Sequence, residues 1–322
     1  MFRRWLNRAT LRIAISPRGP ILIKSGHETA DPTRPGMEFV RSRHAQHGDT
    51  VYLPGTSLKG AMRSQAERVL RGLGLAVCDP FDRYSACRRG PRRAQGSPGS
   101  RGRRPPPPSS AQIFAEQCPA CRTFGSLQMA GRCNVEDAYP WDREPGGDSA
   151  AANTTETRWQ VGIDRRTGQA QGAALFDLEV VVAGTFRTTI HLDNFALWQL
   201  GLLGALLSDM DQGDVPIGFG KSRGLGQVAV QVTGIEVEAL HRGGAGLLGA
   251  GALSTPAEAR EYGLTGNDAM ELPGRIVPAN TWRGRRISAS NEEAQALLDL
   301  VMAGPLKTWV DARGATDNGG RR

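Results

Sequence analysis

The chain has 322 residues, enough for one large domain or two small ones with a sizeable core. Its formal charge is +8, yet residues 88–104 carry seven arginines and no acid, so the basicity belongs mostly to one segment. No run of eighteen apolar residues could span a membrane, and Met1-Phe2-Arg3-Arg4-Trp5 lacks the apolar stretch of a signal peptide. Five cysteines, an odd number, then point to a reducing cytoplasm with metal-bound or free thiols.

Taken in order, residues 9–24 read as a strand pair: Leu11, Ile13 and Ile15 alternate, Pro17 to Pro20 breaks the run, and Ile21-Leu22-Ile23 resumes it. A polar loop, 25–38, holds His27, Asp31, Gly36 and Glu38. Phe39-Val40-Arg41 and Val51-Tyr52-Leu53 flank a turn at Gly48-Asp49 and predict a hairpin. The Pro54-Gly55 turn then opens a helix over 56–72, with Thr56 or Ser57 as cap. Leu58, Ala61, Met62, Ala66, Val69 and Leu70 form its buried stripe, while Lys59, Arg63 and Arg71, interrupted by Glu67, lie elsewhere. That face is either a solvated basic side or, with the helix start, a phosphate contact.

Residues 88–110, rich in Arg, Gly, Pro and Ser, predict a disordered insertion, either a solubilising spacer or a nonspecific RNA contact. Residues 136–175 read as a long protruding loop or hairpin. Strands follow at 176–182 and 186–192, then an apolar helix, 195–208, capped by Asp193 or Asn194. The glycine-rich loop Ile217 to Gly226 leads into a strand from Val228. Few elements can be placed in 240–285. Ser290 with Glu293 predicts a capping box for a helix over 291–303, and the last ten residues should fray. The pattern is α+β with antiparallel sheet, of ferredoxin-like kind.

Two cysteine pairs, Cys78 with Cys87 and Cys118 with Cys121, bracket the insertion. Brought together they would supply four thiolates to a tetrahedral structural zinc, with buried reduced cysteines as the plainer reading. Cys133 reads as a core residue. Gly220-Lys221-Ser222 resembles the end of a P-loop, but position 215 is Val and a strand follows where a helix is required. What survives is backbone amides with Lys221 and Arg223 along a phosphodiester, against an ordinary glycine turn. His27 and Asp31 could serve in acid–base chemistry, but no HExxH or GxSxG pattern supports a protease or esterase.

Three stretches together resemble the CRISPR-associated RAMP superfamily. They are Tyr52-Leu53-Pro54-Gly55-Thr56-Ser57-Leu58-Lys59-Gly60-Ala61-Met62-Arg63, then Cys118 to Ser126 with Asn134-Val135-Glu136-Asp137-Ala138, then Gly218 to Gly226. The resemblance covers about residues 9 to 237. It implies a modified ferredoxin-like, RRM-related core over 1–240, a thumb hairpin within about 138–175, and 241–322 as an extension of the same domain. It further implies a backbone subunit of a type III effector that holds CRISPR guide RNA, meets complementary target RNA and stacks with other RAMP subunits. Ser57, Lys59, Arg63, Lys221, Ser222 and Arg223 would contact RNA, and Cys78, Cys87, Cys118 and Cys121 would bind zinc.

Some members of the family cut target RNA with a loop aspartate. The aligned position here is Gly36, which leaves Asp31 and Glu38 as the nearest acids, working with a divalent metal if this chain cuts. The alternatives are a stand-alone or precursor-processing endoribonuclease of the same superfamily and a zinc-dependent DNA-binding module. The last lacks a recognition helix framed by the cysteines.

Overall fold

A computed structural model of the chain describes residues 4–26, 35–45, 48–79, 81–82, 85, 87, 107–140, 148–240 and 246–317. Alternation in the first segment is realised in β1 (Asn7–Pro17), whose Ala9, Leu11, Ile13 and Ile15 are buried while Arg8 and Arg12 are exposed. A hairpin of β2 (Arg41–His44) and β3 (Gly48–Val51) precedes α1 (Gly55–Gly72). After the cysteine region come α2 (Ser110–Glu116), α3 (Pro119–Phe124), β4 (Gly125–Ser126), β5 (Met129–Ala130), β6 (Cys133–Val135) and β7 (Tyr139–Pro140). Next are α4 (Asp148–Asn153) and a long hairpin, β8 (Glu156–Ile163) with β9 (Ala170–Val180). The chain continues through β10 (Phe186–Asp193), α5 (Leu197–Gln212) and β11 (Val228–Ala239). It closes with β12 (Gly246–Leu248), α6 (Pro256–Glu261), β13 (Ala269–Glu271), β14 (Ala279–Asn280), β15 (Arg285–Ser290), α7 (Asn291–Val301) and α8 (Lys307–Asp317).

The result is a mixed α+β fold around a seven-stranded antiparallel sheet of order β14-β15-β11-β1-β10-β6, with β7 also paired to β10. One face is apolar. Leu11 and Ile13 of β1, Ile190 of β10 and Ile235 of β11 join Leu58, Met62 and Leu70 of α1 and Leu200, Leu203 and Leu207 of α5 in one core. Helix α5 is apolar nearly all round because a second layer covers its outer side. A Cβ on Gly201 would lie 2.8 Å from Leu306 Cβ and 2.9 Å from the Val301 carbonyl oxygen, and Trp198 stacks on Trp309 at 4.1 Å. The residues after 240 thus share the core of those before it.

Local structure departs from the sequence reading where a distant group outcompetes a nearby one. Helix α1 begins at Gly55 behind Pro54, and neither Thr56 nor Ser57 caps it; the Gly55 N–H instead donates to Asp137 Oδ1 at 2.7 Å. Asn194 does not cap α5, since its side chain accepts from Leu6 N–H at 2.7 Å and donates to the Arg4 carbonyl. Nor does Asp193, which pairs with Arg8. Gln199 Oε1 serves that helix by accepting from the Ala196 N–H at 3.0 Å. Ser290 makes no side-chain cap, so the predicted box with Glu293 does not form, and α7 passes into a π-turn over Met302–Leu306 at Pro305. Residues 21–24 make only isolated bridges, Ile21 with Val181 and Lys24 with Phe39. The strand expected at 176–182 is the end of the hairpin strand β9. Residues 88–106 and the last five residues fall outside the described part of the chain.

Glycine at 55 is a steric requirement. A Cβ there would lie 2.2 Å from the Val135 carbonyl oxygen, whereas one on Gly60, in the same helix, meets nothing within 4 Å. Gly55→Ala should therefore lower the free energy of unfolding by about 1–3 kcal/mol through overpacking. Gly60→Ala should raise it by about 0.5–1 kcal/mol through helix propensity. Urea denaturation of both variants measures the contrast.

Candidate metal centre and nucleic-acid interface

Cys118 is the N-cap of α3 and Cys121 lies one turn inside it, which aims both thiols the same way. The loop after α1 brings Cys78 and Cys87 to meet them. The four Sγ atoms lie within 4.8 Å of one another, with Cys78–Cys121 at 3.5 Å and Cys78–Cys118 at 3.6 Å. The Cys118 N–H donates to Cys87 Sγ at 3.2 Å, and the Cys121 N–H to Cys118 Sγ at 3.5 Å. The crowding forces the thiols to share negative charge. Cys121 and Cys78 are pushed up, first by their hydrogen bonds with Cys118, while Cys118 is drawn down by its hydrogen bonds with Cys121, Cys78 and Cys87. A cation among them removes that conflict, so this four-cysteine cluster can coordinate a metal ion. Cys133 is separate: it sits in the core, and burial pushes its thiol up to about 12.

The basic side of α1 is largely committed to this centre. Arg63 donates from Nε to Glu67 Oε1 at 2.9 Å and from Nη1 to the Gly125 carbonyl at 3.0 Å, and its Nη2 lies 3.5 Å from Cys121 Sγ. Burial works against the Arg63 cation, yet the hydrogen bond to Glu67 and the Cys121 sulfur hold it above its usual range. Arg71 donates to the Cys78 carbonyl at 2.8 Å and pairs with Glu67 at 3.6 Å. Glu67, which broke the basic face in the sequence, is the buried anion that aligns both arginines. Lys59 and Ser57 are half-buried further up the helix. The helix start itself already holds an anion, Asp137, and the neighbouring chain is fixed by reciprocal Leu53–Ala138 backbone bonds of 2.9 and 2.8 Å.

The glycine loop folds against residues 20–24. The Phe219 N–H donates to the Leu22 carbonyl at 2.7 Å, and the Gly226 N–H to the Pro20 carbonyl at 2.9 Å. A Cβ on Gly218 would lie 2.2 Å from that Leu22 oxygen. Between Gly220 and Gly224, both left-handed, Lys221, Ser222 and Arg223 form one exposed 3-10 turn. Arg223 donates to Gln160 Oε1 at 3.2 Å and lies 5.1 Å from the Phe176 ring centroid, two residues paired across the β8–β9 hairpin. The exposed basic turn is thereby attached to the hairpin. The hairpin's other face exposes Trp159, Val161 and Ile163 of β8, with Leu175 opposite Val161.

Of the acids named from the sequence, Asp31 lies outside the described residues, as does His27. Glu38 is half-buried in a segment running beside β9, where Met37 bridges Leu178. That segment receives a carboxylate from the hairpin: the Gly36 N–H donates to Asp177 Oδ1 at 2.9 Å. Glu179 anchors it as well, accepting from the Phe39 N–H at 2.8 Å, from Thr155 Oγ1 at 2.7 Å and from the Arg41 guanidinium. The sequence reading assigned no role to Asp137, Asp177 or Glu179 because each acts on backbone far away in the chain. Alternation marks Asp177 and Glu179 only as polar strand positions; Asp137, just after β6, had no strand signal at all.

The model of the RAMP superfamily matches residues 15–229, about two thirds of the chain. The chain belongs to the RAMP superfamily. No curated protein matches it. The matched span of this RAMP chain includes the cysteine centre, the hairpin and the glycine loop, and leaves β12 to α8 beyond it. No helix of the described residues is long and apolar enough to cross a membrane.

Two measurements test this geometry. Cys118→Ser should lower bound metal, measured by mass spectrometry of the purified protein, from about one equivalent to well under half, whereas Cys133→Ser should leave it unchanged. Glu179 is buried, which raises a carboxyl, but Arg41 and the Phe39 N–H outweigh that and hold it below its ordinary 4.5. Its stabilising contribution is therefore complete above that value and is lost as pH falls through the lower folded value. The stability difference between wild type and Glu179→Gln should shrink on acidification from pH 6, as read by denaturation at each pH.

Proposed function

We propose that this RAMP protein is a guide-RNA-holding backbone subunit of a type III CRISPR effector complex, working in the cytoplasm in antiviral defence. In this reading the complementary target RNA and other RAMP subunits are its partners. The observation that carries it is the joining of the exposed Lys221-Ser222-Arg223 turn to a long exposed hairpin. A backbone-following groove needs cations beside apolar or aromatic surface, and that junction offers both. Within the sheet, β11-β1-β10-β6, connected through α1 and α5, runs in the order 4-1-3-2 of a ferredoxin-like core, which supports the RRM-related reading. The β8–β9 hairpin takes the part of the thumb. Ser57 and Lys59 remain candidates for the guide, while Arg63 serves the metal frame first.

Zinc is the metal proposed for Cys78, Cys87, Cys118 and Cys121. Bonds of about 2.3 Å in a tetrahedron set sulfurs about 3.8 Å apart, close to the 3.5 and 3.6 Å separations here. When bound it would cross-link the loop after α1 to α3. The four residues hold it, and Arg63 and the two thiol-directed amides orient them.

Cleavage of target RNA with a divalent metal is a second reading, favoured by one observation: Asp177 supplies a carboxylate beside Gly36. On the first reading, the double variant Lys221→Ala/Arg223→Ala should weaken binding of single-stranded RNA. It should also flatten the salt dependence, by about 0.7 in slope for each phosphate that the variant leaves unneutralised. Fluorescence anisotropy across a salt series gives both numbers. An unchanged affinity and slope would remove the glycine loop from the interface.

A further inference from the structure

The face of the central sheet opposite the core is built as an ion-pair ladder. Cross-strand register aligns Arg286 of β15, Glu238 of β11, Arg8 of β1 and Asp193 of β10 in one row. Arg286 Nη2 reaches Glu238 at 2.5 Å, and Arg8 Nε reaches Asp193 at 2.6 Å. The next row is Ser288, Glu236, Thr10, His191 and Asn134, with His191 placed between Thr10 at 3.2 Å and Glu136 at 3.1 Å. Apart from the His191 imidazole, held on both sides, neither row contains an aromatic ring. On these two rows a base finds no ring to stack on as it does on an aromatic-bearing RRM sheet, and the ring that this face carries at its β7 end, Tyr139 opposite Arg187, is stacked on Tyr52.

The aromatic surface stands at the sheet's edge instead. Residues 281–284 close a turn between β14 and β15, with the Thr281 N–H on the Gly284 carbonyl at 2.7 Å, and this pushes Trp282 and Arg283 outwards. Trp282 is 82% exposed. The Arg283 guanidinium lies 5.3 Å from the Trp282 ring centroid and 5.5 Å from that of Trp5, and Glu238 of the ladder holds it at 3.2 Å. Residues 275–286 contain Arg275, Arg283, Arg285 and Arg286 and no acid. A large aromatic side chain kept in solvent, with an anchored cation against its ring, is a preformed stacking platform.

We propose that Trp282, backed by Arg283 and Trp5, is a second single-stranded RNA contact that stacks an unpaired base at the β14–β15 edge. It lies outside the residues matched by the RAMP model, and only the choice of RNA as ligand rests on the function proposed above. An indole already backed by a guanidinium, with the exposed Arg275 in the same segment, favours a nucleobase and its phosphate over an apolar protein surface as occupant.

The test uses the full chain as purified with two fluorescent probes of equal length, a 12-residue oligouridylate and its abasic counterpart. Trp282→Ala should weaken oligouridylate binding about 5- to 150-fold, the loss of one stacked base, and leave the abasic probe nearly unchanged. Trp282→Phe should restore most of the affinity. Equal binding of both probes by wild type and Trp282→Ala would overturn the platform, while the Lys221→Ala/Arg223→Ala variant separately reports on the glycine loop. If that double variant binds normally and Trp282→Ala does not, the platform stands and the glycine-loop reading fails. Wild type that binds neither probe at low salt overturns both. Loss of self-association in Trp282→Ala, with RNA affinity intact, would assign the edge to a protein contact and overturn the proposal.

Discussion

The contact between Gly55 and the backbone of Val135 and Glu136 is the constraint on which the rest of the molecule depends. With no side chain at 55, the start of α1 settles onto the end of β6, and Asp137 closes its first amide. That single approach fixes α1 over the sheet and fixes the loop after α1 relative to α3. The four cysteines converge because these two elements are already in register. The same contact changes the meaning of the helix start. Its positive end, open to a phosphate by sequence, is occupied by a carboxylate of the chain itself.

Charge elsewhere is handled in the same way, by internal pairing. Glu67 gathers Arg63 and Arg71 towards the cysteines, Glu179 gathers Arg41 and the base of the hairpin, and Glu238 gathers Arg283 and Arg286. Much of the basic character is committed to these pairs. The exposed Lys221-Ser222-Arg223 turn differs, because its two cations stand between left-handed glycines in solvent, and Arg223 is held by a ring and an amide. That separation of satisfied from available cations is what directs the functional reading to the glycine loop ahead of Arg63 and Arg71 of α1.

Periodicity made the regular parts legible. The alternation of Leu11, Ile13 and Ile15, the stripe on α1 and the all-round apolar α5 each follow from one face being buried, and a local window contains that information. The CxxC knuckle and its partner pair were legible because metal ligation demands few residue types at short spacing. Caps were not. Thr56, Ser290 and Asn194 are all good cap residues by type, yet Asp137 reaches the start of α1, Asn194 is engaged with Leu6 and Arg4, and Ser290 stands at the cap position without a side-chain cap bond. Asp177 beside Gly36 belongs with these: the carboxylate near that glycine comes from a strand some 140 residues further on, as the register of a hairpin against a loop dictates. Residues 246–285, nearly opaque in sequence, form short elements whose places are set by the surfaces they cover, whereas the helix expected over 291–303 forms as α7.

The most direct measurement is photocrosslinking of a 4-thiouridine-substituted single-stranded RNA to the full chain, with the adducts located by peptide mass spectrometry. Adducts on the peptides carrying residues 221–223 and the β8–β9 hairpin are the expected result. Adducts confined to residues 55–63, or none on the glycine loop and hairpin under conditions where RNA is bound, would contradict it.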